Sequence, residues 1–331
     1  MALASTQPYI PKYGQQSCDS TMKDSVQRPL VSVICDIFNH EKYLRRCFDG
    51  FIMQETTFPF EVLVHDDASS DSSQDIINEY TERYPHIFKP VFQSENQYSK
   101  GVSIWMNFQI PRVSGKYIAF CEGDDYWTDS KKLQKQFDLL ETHPDICMCC
   151  HHVEMLDNAT GNIRGDYFDC TEGVTGIRDI IRSNYVQTLS VMLRNDERIF
   201  ASYKKINPHV VGDYCMWFCA SLYGNIYKMA DTMAVYRLGS GSYSSMSGLR
   251  RHLPLLSLLN RMRCYVNDSD AIEEIDSQIA RLEEMLASNS FGLAERRITH
   301  CLERKGVVRD LHLIGRSILL LFGDIMKWKI G

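Results

Sequence analysis

The sequence predicts an α/β protein: a mostly parallel mixed sheet flanked by helices, followed by a helical region at the C-terminus. Three observations lead there. Short β-branched and aromatic runs alternate with segments of helical periodicity through the first half of the chain. Two of those runs end in clusters of carboxylates, at the edge of a parallel sheet where ligands bind. Beyond residue 245 the alternation gives way to helical spacing alone.

The elements follow in order. Residues 1–28 are polar and aperiodic and read as a flexible leader. LVSVICDIF at 30–38 is a buried strand. Tyr43, Leu44, Cys47, Phe48, Phe51 and Ile52 then fall on one helix face. EVLVH at 61–65 is a second strand, and Ile76, Ile77, Tyr80 and Tyr84 mark a helix that Pro85 closes. KPVFQ at 89–93 is a weaker strand, 104–113 a helix around Trp105 and Phe108, and KYIAFC at 116–121 a fourth strand. A helix is expected over 131–141, with strands over 146–156, 190–193 and 225–236. Ile272, Ile275, Ile279, Leu282 and Leu286 sit at near-heptad spacing, and Leu311–Lys327 is amphipathic. The domain over 29–245 thus precedes a helical region over 246–331.

Composition narrows the function. The 331 residues carry a formal charge of −6, which argues against the basic face of a nucleic-acid binder. Twelve cysteines lack a disulfide-framework spacing, and the N-terminus lacks the basic and apolar regions of a signal peptide. Reduced thiols in a cytoplasmic protein are expected. Cys147, Cys149, Cys150, His151 and His152 fit no closed zinc site, because neighbours on a strand point to opposite faces.

The chemistry lies in the acids. Asp66 and Asp67 are adjacent carboxylates at a strand end, which repel each other unless a donor or cation intervenes. Asp71 reads as a helix cap. Glu122, Asp124 and Asp125 form a hard oxygen site suited to Mg²⁺ or Mn²⁺ together with substrate phosphates, and Gly123 allows a close backbone turn there. Asp213 precedes an apolar helix, as either a cap or a general base. Tyr126 and Trp127 read first as core residues.

Taken in series, these segments resemble glycosyltransferase family 2, whose fold is GT-A. The carriers are VSVICDIFNHEKYLRRCFDGFIMQ at 31–54, EVLVHDDASSDSS at 61–73, GKYIAFCEGDDYWTD at 115–129 and GDYCMWF at 212–218. The resemblance implies inverting transfer of a sugar from a nucleoside-diphosphate donor to a hydroxyl of a saccharide or lipid-linked saccharide. It implies that Phe38 and Asn39 lie beside the nucleotide base, with Glu41 in the same loop. Asp66 is expected at the base, Asp67 near the ribose, and Glu122-Gly123-Asp124 at the metal-binding motif. Asp124 would then bind the cation with Asp125 in support, Asp213 would be the catalytic base, and Arg237 would pair with diphosphate. Two departures stand out: Glu122 replaces an Asp, and Asp36 stands where Pro or Thr is common. A nucleotidyltransferase is the rival enzyme, although the first loop lacks the basic Gly-rich cradle for triphosphate. A non-catalytic nucleotide-sugar-binding scaffold is the rival outside enzymes. The C-terminal helices are expected to contact a membrane surface or a second copy.

Overall fold

Buried β-branched runs build the parallel half of the sheet. In the computed structural model, which describes residues 28–166, 171–208, 211–239 and 248–303, the order begins β1 (Val31–Ile37), α1 (Leu44–Ile52), β2 (Phe60–Asp66), α2 (Ser73–Arg83), β3 (Phe88–Phe92) and β4 (Tyr117–Phe120). It continues with β5 (Tyr126–Trp127), α3 (Lys132–Thr142), β6 (Ile146–Asp157), β7 (Ile163–Gly165), β8 (Gly173–Thr175), α4 (Ile177–Arg182) and β9 (Met192–Arg194). The remainder is α5 (Glu197–Ile206), α6 (Gly212–Ser221), β10 (Asn225–Leu238), α7 (Gly248–Arg263) and α8 (Ser269–Glu303). The leader, the Gly/Ser-rich stretch at 240–247 and the stripe at 311–327 lie outside the described residues.

The strands form one mixed sheet in the order β3-β2-β1-β4-β9-β6-β10-β5, with β7 added to β6 and β8 to β10. β3, β2, β1 and β4 are mutually parallel. β9 then runs antiparallel to both β4 and β6. β10 is parallel to β6 and antiparallel to β5. In this register Ile37 lies level with Asp66, and Ile34 with Phe120. The carboxyl ends of β1, β2 and β4 therefore share one edge.

Each face of the sheet carries a core. Phe48 and Phe51 of α1, Ile77 of α2 and Leu133 and Leu140 of α3 pack on one face with Val33, Val62 and Val64. On the other, Trp217 and Phe218 of α6 pack with Ile199 of α5, Leu258 and Met262 of α7 and Ile275 of α8. Each fully buried Leu, Ile or Phe contributes roughly 1.5–3 kcal/mol of transfer free energy. The thiols of β6 divide between these layers, Cys147 and Cys150 with one and Cys149 with the other. No disulfide joins the described cysteines, and no described helix is long and apolar enough to cross a membrane.

Two expected elements differ. A π-helical turn at Trp105–Gln109 and a 3₁₀ turn at Ile110–Arg112 replace the regular helix over 104–113. Pro111 has no N–H to continue an α-helical ladder. The Gln109 amide is also drawn into the sheet, donating to Leu63 O at 3.0 Å and Asp36 Oδ1 at 2.7 Å. The strand expected at 190–193 is present as β9, Met192–Arg194, starting two residues later because a 3₁₀ turn at Thr188–Ser190 takes up Ser190.

Lys132, at the start of α3, is fully buried without a carboxylate partner. Its Nζ donates to Gln136 Oε1 at 2.7 Å and lies 4.1 Å from the centre of the Trp127 ring. Burial pushes its pKa down to about 7, against the pull of the neighbouring Cys121, Cys149 and Asp129. The sign follows from linkage: between pH 7 and 10.5 the unfolded chain holds a proton that the native chain has released, so stability rises with pH there. Lys132→Met removes this cost. It is expected to raise the melting temperature by roughly 5 °C at pH 6.5, with the gain fading by pH 10. A gain independent of pH would show that Lys132 is not the group responsible.

Candidate active site

Two loops at the shared edge are tied to each other before any ligand is considered. Asn39, in the left-handed region at φ 57°, accepts a hydrogen bond on Oδ1 from Ser70 N at 2.8 Å, and its own N–H donates to Ser69 Oγ at 2.9 Å. Glu41 Oε2 accepts from Ser72 N at 2.9 Å, and Glu41 N donates to Asp71 Oδ2 at 3.0 Å. Asp71 Oδ1 also accepts from Ser73 N, so the expected cap is present and serves both loops. Phe38 is left 45% exposed at the mouth.

Asp66 and Asp67 resolve their repulsion through donors. Asp67 gives one oxygen to Gln97 N at 2.8 Å and the other to Tyr98 N at 3.0 Å. Asp66 Oδ2 accepts from Ser69 N and from Gln74 Nε2, while its buried Oδ1 has no partner. Both carboxylates are buried, and the bonds they make order the loops that carry Asn39 and Tyr98.

The acidic turn lies beside them. Glu122, Asp124 and Asp125 each offer a carboxylate oxygen, all within 4.8 Å of one another. Among the described residues no other group of three such side chains converges this way. Burial, then the charges of Asp124, Asp213 and Asp36, push the Glu122 carboxyl up to about 8. Burial and the Asp124 charge hold Asp125 well above the ordinary carboxylate range. Asp125 Oδ1 accepts from Arg237 N at 2.7 Å, but its Oδ2 is buried without a partner. Three crowded acids and an orphaned oxygen fit a divalent cation, which would supply the missing positive charge.

Gly123 has a reason beyond a tight turn. A methyl group there would lie 2.8 Å from His40 Nδ1 and 2.9 Å from Ile37 Cγ1. The glycine thus makes room for the imidazole, which senses Asp124, Asp71 and Asp66 together. Arg237 braces the same turn, with Nε donating to Asp124 O at 2.9 Å and its guanidinium 4.3 Å from the Tyr43 ring centre.

Asp213 enters from the first turn of α6. Val211 before it has φ 55°, a strained value for a β-branched residue and a mark of an over-determined backbone. Burial raises the Asp213 carboxyl, and its charge in turn raises Glu122. Asp213 is therefore within electrostatic reach of Glu122 although 90 residues lie between them in sequence. Asp67 joins through Asp36, whose carboxyl burial pushes up to about 6, against bonds from Gln109 and Trp105 and with the Asp67 charge adding to the rise. Asp67, Asp36, Glu122, Asp124 and Asp213 thus form one chain of interacting acids.

Three cleft residues escape the sequence reading: Tyr236, Gln109 and His40. The Tyr236 hydroxyl is raised by burial and by the charges of Glu122, Asp125, Asp124 and Asp213. The pairing of β5 with β10, which brings it there, rests on a strand of two residues. Tyr126 and Trp127 are core residues as expected. Trp127 packs edge-on against Phe51 at 4.8 Å, and Tyr126 is stacked under Arg46 at 3.9 Å.

Comparison with known proteins agrees with this geometry. Residues 32–219 match the model of glycosyl transferase family 2. An uncharacterized protein of Mycobacterium tuberculosis is 34% identical over 211 residues, covering 62% of this chain and 58% of its own length. The putative teichuronic acid biosynthesis glycosyltransferase TuaG of Bacillus subtilis is 26% identical over 219 residues, covering 66% of this chain and 82% of its own length. Among solved structures, S. aureus TarS in complex with UDP-GlcNAc aligns with a TM-score of 0.57 at 17% identity, covering 76% of this chain and 71% of that one. The mannosyltransferase PcManGT of Pyrobaculum calidifontis, in complex with GDP-Man and Mn²⁺, aligns at 0.53 and 16% identity, covering 92% and 84%. At such identities the likeness is one of fold, and the fold is GT-A. With more than half of its length matching one model, the chain belongs to glycosyl transferase family 2, and it spans 58% of the length of the mycobacterial relative.

Proposed function

We propose that this chain is an inverting, cation-dependent glycosyltransferase, and that it moves a sugar from a nucleoside-diphosphate donor to a saccharide or lipid-linked hydroxyl during polysaccharide or glycan synthesis. The observation that carries the reading is the convergence of Glu122, Asp124 and Asp125 within 4.8 Å beside Asp213. Asp124 and Asp125 would hold Mn²⁺ or Mg²⁺, with Glu122 at its margin. When bound, such an ion supplies charge stabilisation for a departing diphosphate.

The chain's own residues do the rest. Phe38 and Asn39 flank the base, with Asp66 and Asp67 ordering the loops around it. Arg237 sets a fixed cation next to the acidic turn, where diphosphate charge would gather. Asp213, a stronger base because burial raises it, takes the proton of the acceptor hydroxyl. The acceptor oxygen bonds to the anomeric carbon while the carbon–oxygen bond to diphosphate breaks. One base on one face and no second nucleophile give inversion. The name of the Bacillus relative and its 82% coverage support a polymer-building role.

A melting panel tests the donor. UDP, GDP, UDP-GlcNAc and GDP-mannose are each added with and without Mn²⁺. A shift of several degrees for one nucleotide, requiring Mn²⁺, is expected. Absence of any shift across the panel counts against the reading. Binding of a nucleotide sugar without diphosphate release to water or any acceptor would identify a scaffold instead.

A further inference from the structure

Tyr203 is a buried tyrosine of α5 that the proposed chemistry does not use. Its hydroxyl lies against Gly212, the first residue of α6. A methyl group on Gly212 would lie 2.6 Å from that oxygen, and the next described atom outside the local backbone is Tyr203 Cζ at 3.8 Å. The first distance is one that real Cβ atoms essentially never show, and the second is ordinary van der Waals contact. Gly212 has no positive φ, so its conformation is open to any residue. The glycine is therefore demanded by one oxygen atom. That atom cannot swing away freely, because the ring is only 4% exposed within the core beneath α6.

The consequence falls on Asp213. Gly212 is the first residue of α6 and Asp213 the second. Just upstream, Val211 is held at φ 55°, a conformation strained for a β-branched residue. A strained backbone persists only where its surroundings over-determine it, and among the described residues the Tyr203 hydroxyl presses on the residue that follows Val211. We propose that Tyr203 is a positioning residue for transfer: its hydroxyl, set against Gly212, fixes the first turn of α6 and with it the direction of the Asp213 carboxylate. The inference rests on the reading of Asp213 as the base.

The experiment is a double-mutant cycle of Gly212→Ala and Tyr203→Phe. Two readouts are taken: melting temperature, and turnover of the nucleotide sugar chosen by the melting panel with water as acceptor. Gly212→Ala alone is expected to lower kcat about tenfold while the donor KM stays within twofold, since the donor loops are not on α6. It also lowers the melting temperature. In the Tyr203→Phe background, where only the ring carbon at 3.8 Å remains, Gly212→Ala is expected to change neither kcat nor melting. Equal losses in both backgrounds would overturn the proposal. A loss confined to melting, or one in which KM moves with kcat, would also overturn it by reducing Tyr203 to packing. Asp213→Asn separates the two ideas: if that variant keeps its turnover, the base assignment fails, while coupled melting of the pair still reports the contact between Tyr203 and Gly212.

Discussion

Asp213→Asn is expected to cut kcat by 10²- to 10⁴-fold while leaving the nucleotide- and Mn²⁺-dependent melting shift unchanged. Removal of a general base withdraws help only in the transition state, so donor affinity is spared. The same substitution carries a second signature. Burial raises the Asp213 carboxyl, so its native state holds a proton more tightly than the unfolded chain does. Stability contributed by that group is therefore lost as pH rises through the carboxyl's raised pKa. Asn is neutral at every pH, so the variant is expected to melt at or above the wild-type temperature at pH 7.5. An inactive protein that is no less stable points to chemistry. An inactive protein that melts lower points to damage, and an active one ends the role of Asp213 as base.

The second large effect is Asp124→Ala. Wild-type protein at a hundredfold excess of Mn²⁺ and nucleotide over Kd gains about 2.7 kcal/mol, or roughly 5–10 °C in melting temperature. The variant is expected to gain less than about 1 °C by the same measure. Without added metal the order reverses. Asp124 is the nearest charge raising both Glu122 and Asp125, after burial itself. Its removal relieves that repulsion, and the metal-free variant is expected to melt higher than wild type. A variant that still responds to Mn²⁺ and nucleotide in full would place the cation elsewhere.

Much of this was legible in the residues. The alternation of apolar runs with helical stripes gave β1 to β4 with their helices, because both faces of those strands are covered and must be apolar. The carboxylate clusters pointed to the sheet edge because strands of a parallel sheet end there together. The shortest elements were not legible. β5, β7 and β8 span two or three residues, too few to show any period. The turn at Trp105–Gln109 keeps helical spacing in sequence, yet Gln109 bonds to the sheet rather than to solvent. The partners of Asp67 were equally hidden, since backbone amides at Gln97 and Tyr98 leave no trace in residue identity. Asp36 stood out as a departure from the family pattern, but only its amide partner from the π-helical turn explains how a buried acid is tolerated on β1. Gly123 and Gly212 were visible as glycines, whereas the atoms that forbid a side chain there, on His40 and Tyr203, come from distant positions.

The ties between Asn39 and Ser70, and between Glu41, Asp71 and Ser72, make the first two loops of the domain a single graftable part. Transplanting residues 38–43 from a homologue that lacks Asn39 and Glu41 would strand the amides of Ser70 and Ser72, whose acceptors are those two side chains. Exchange of specificity by protein engineering therefore has to move both segments at once, as two halves of one clasp.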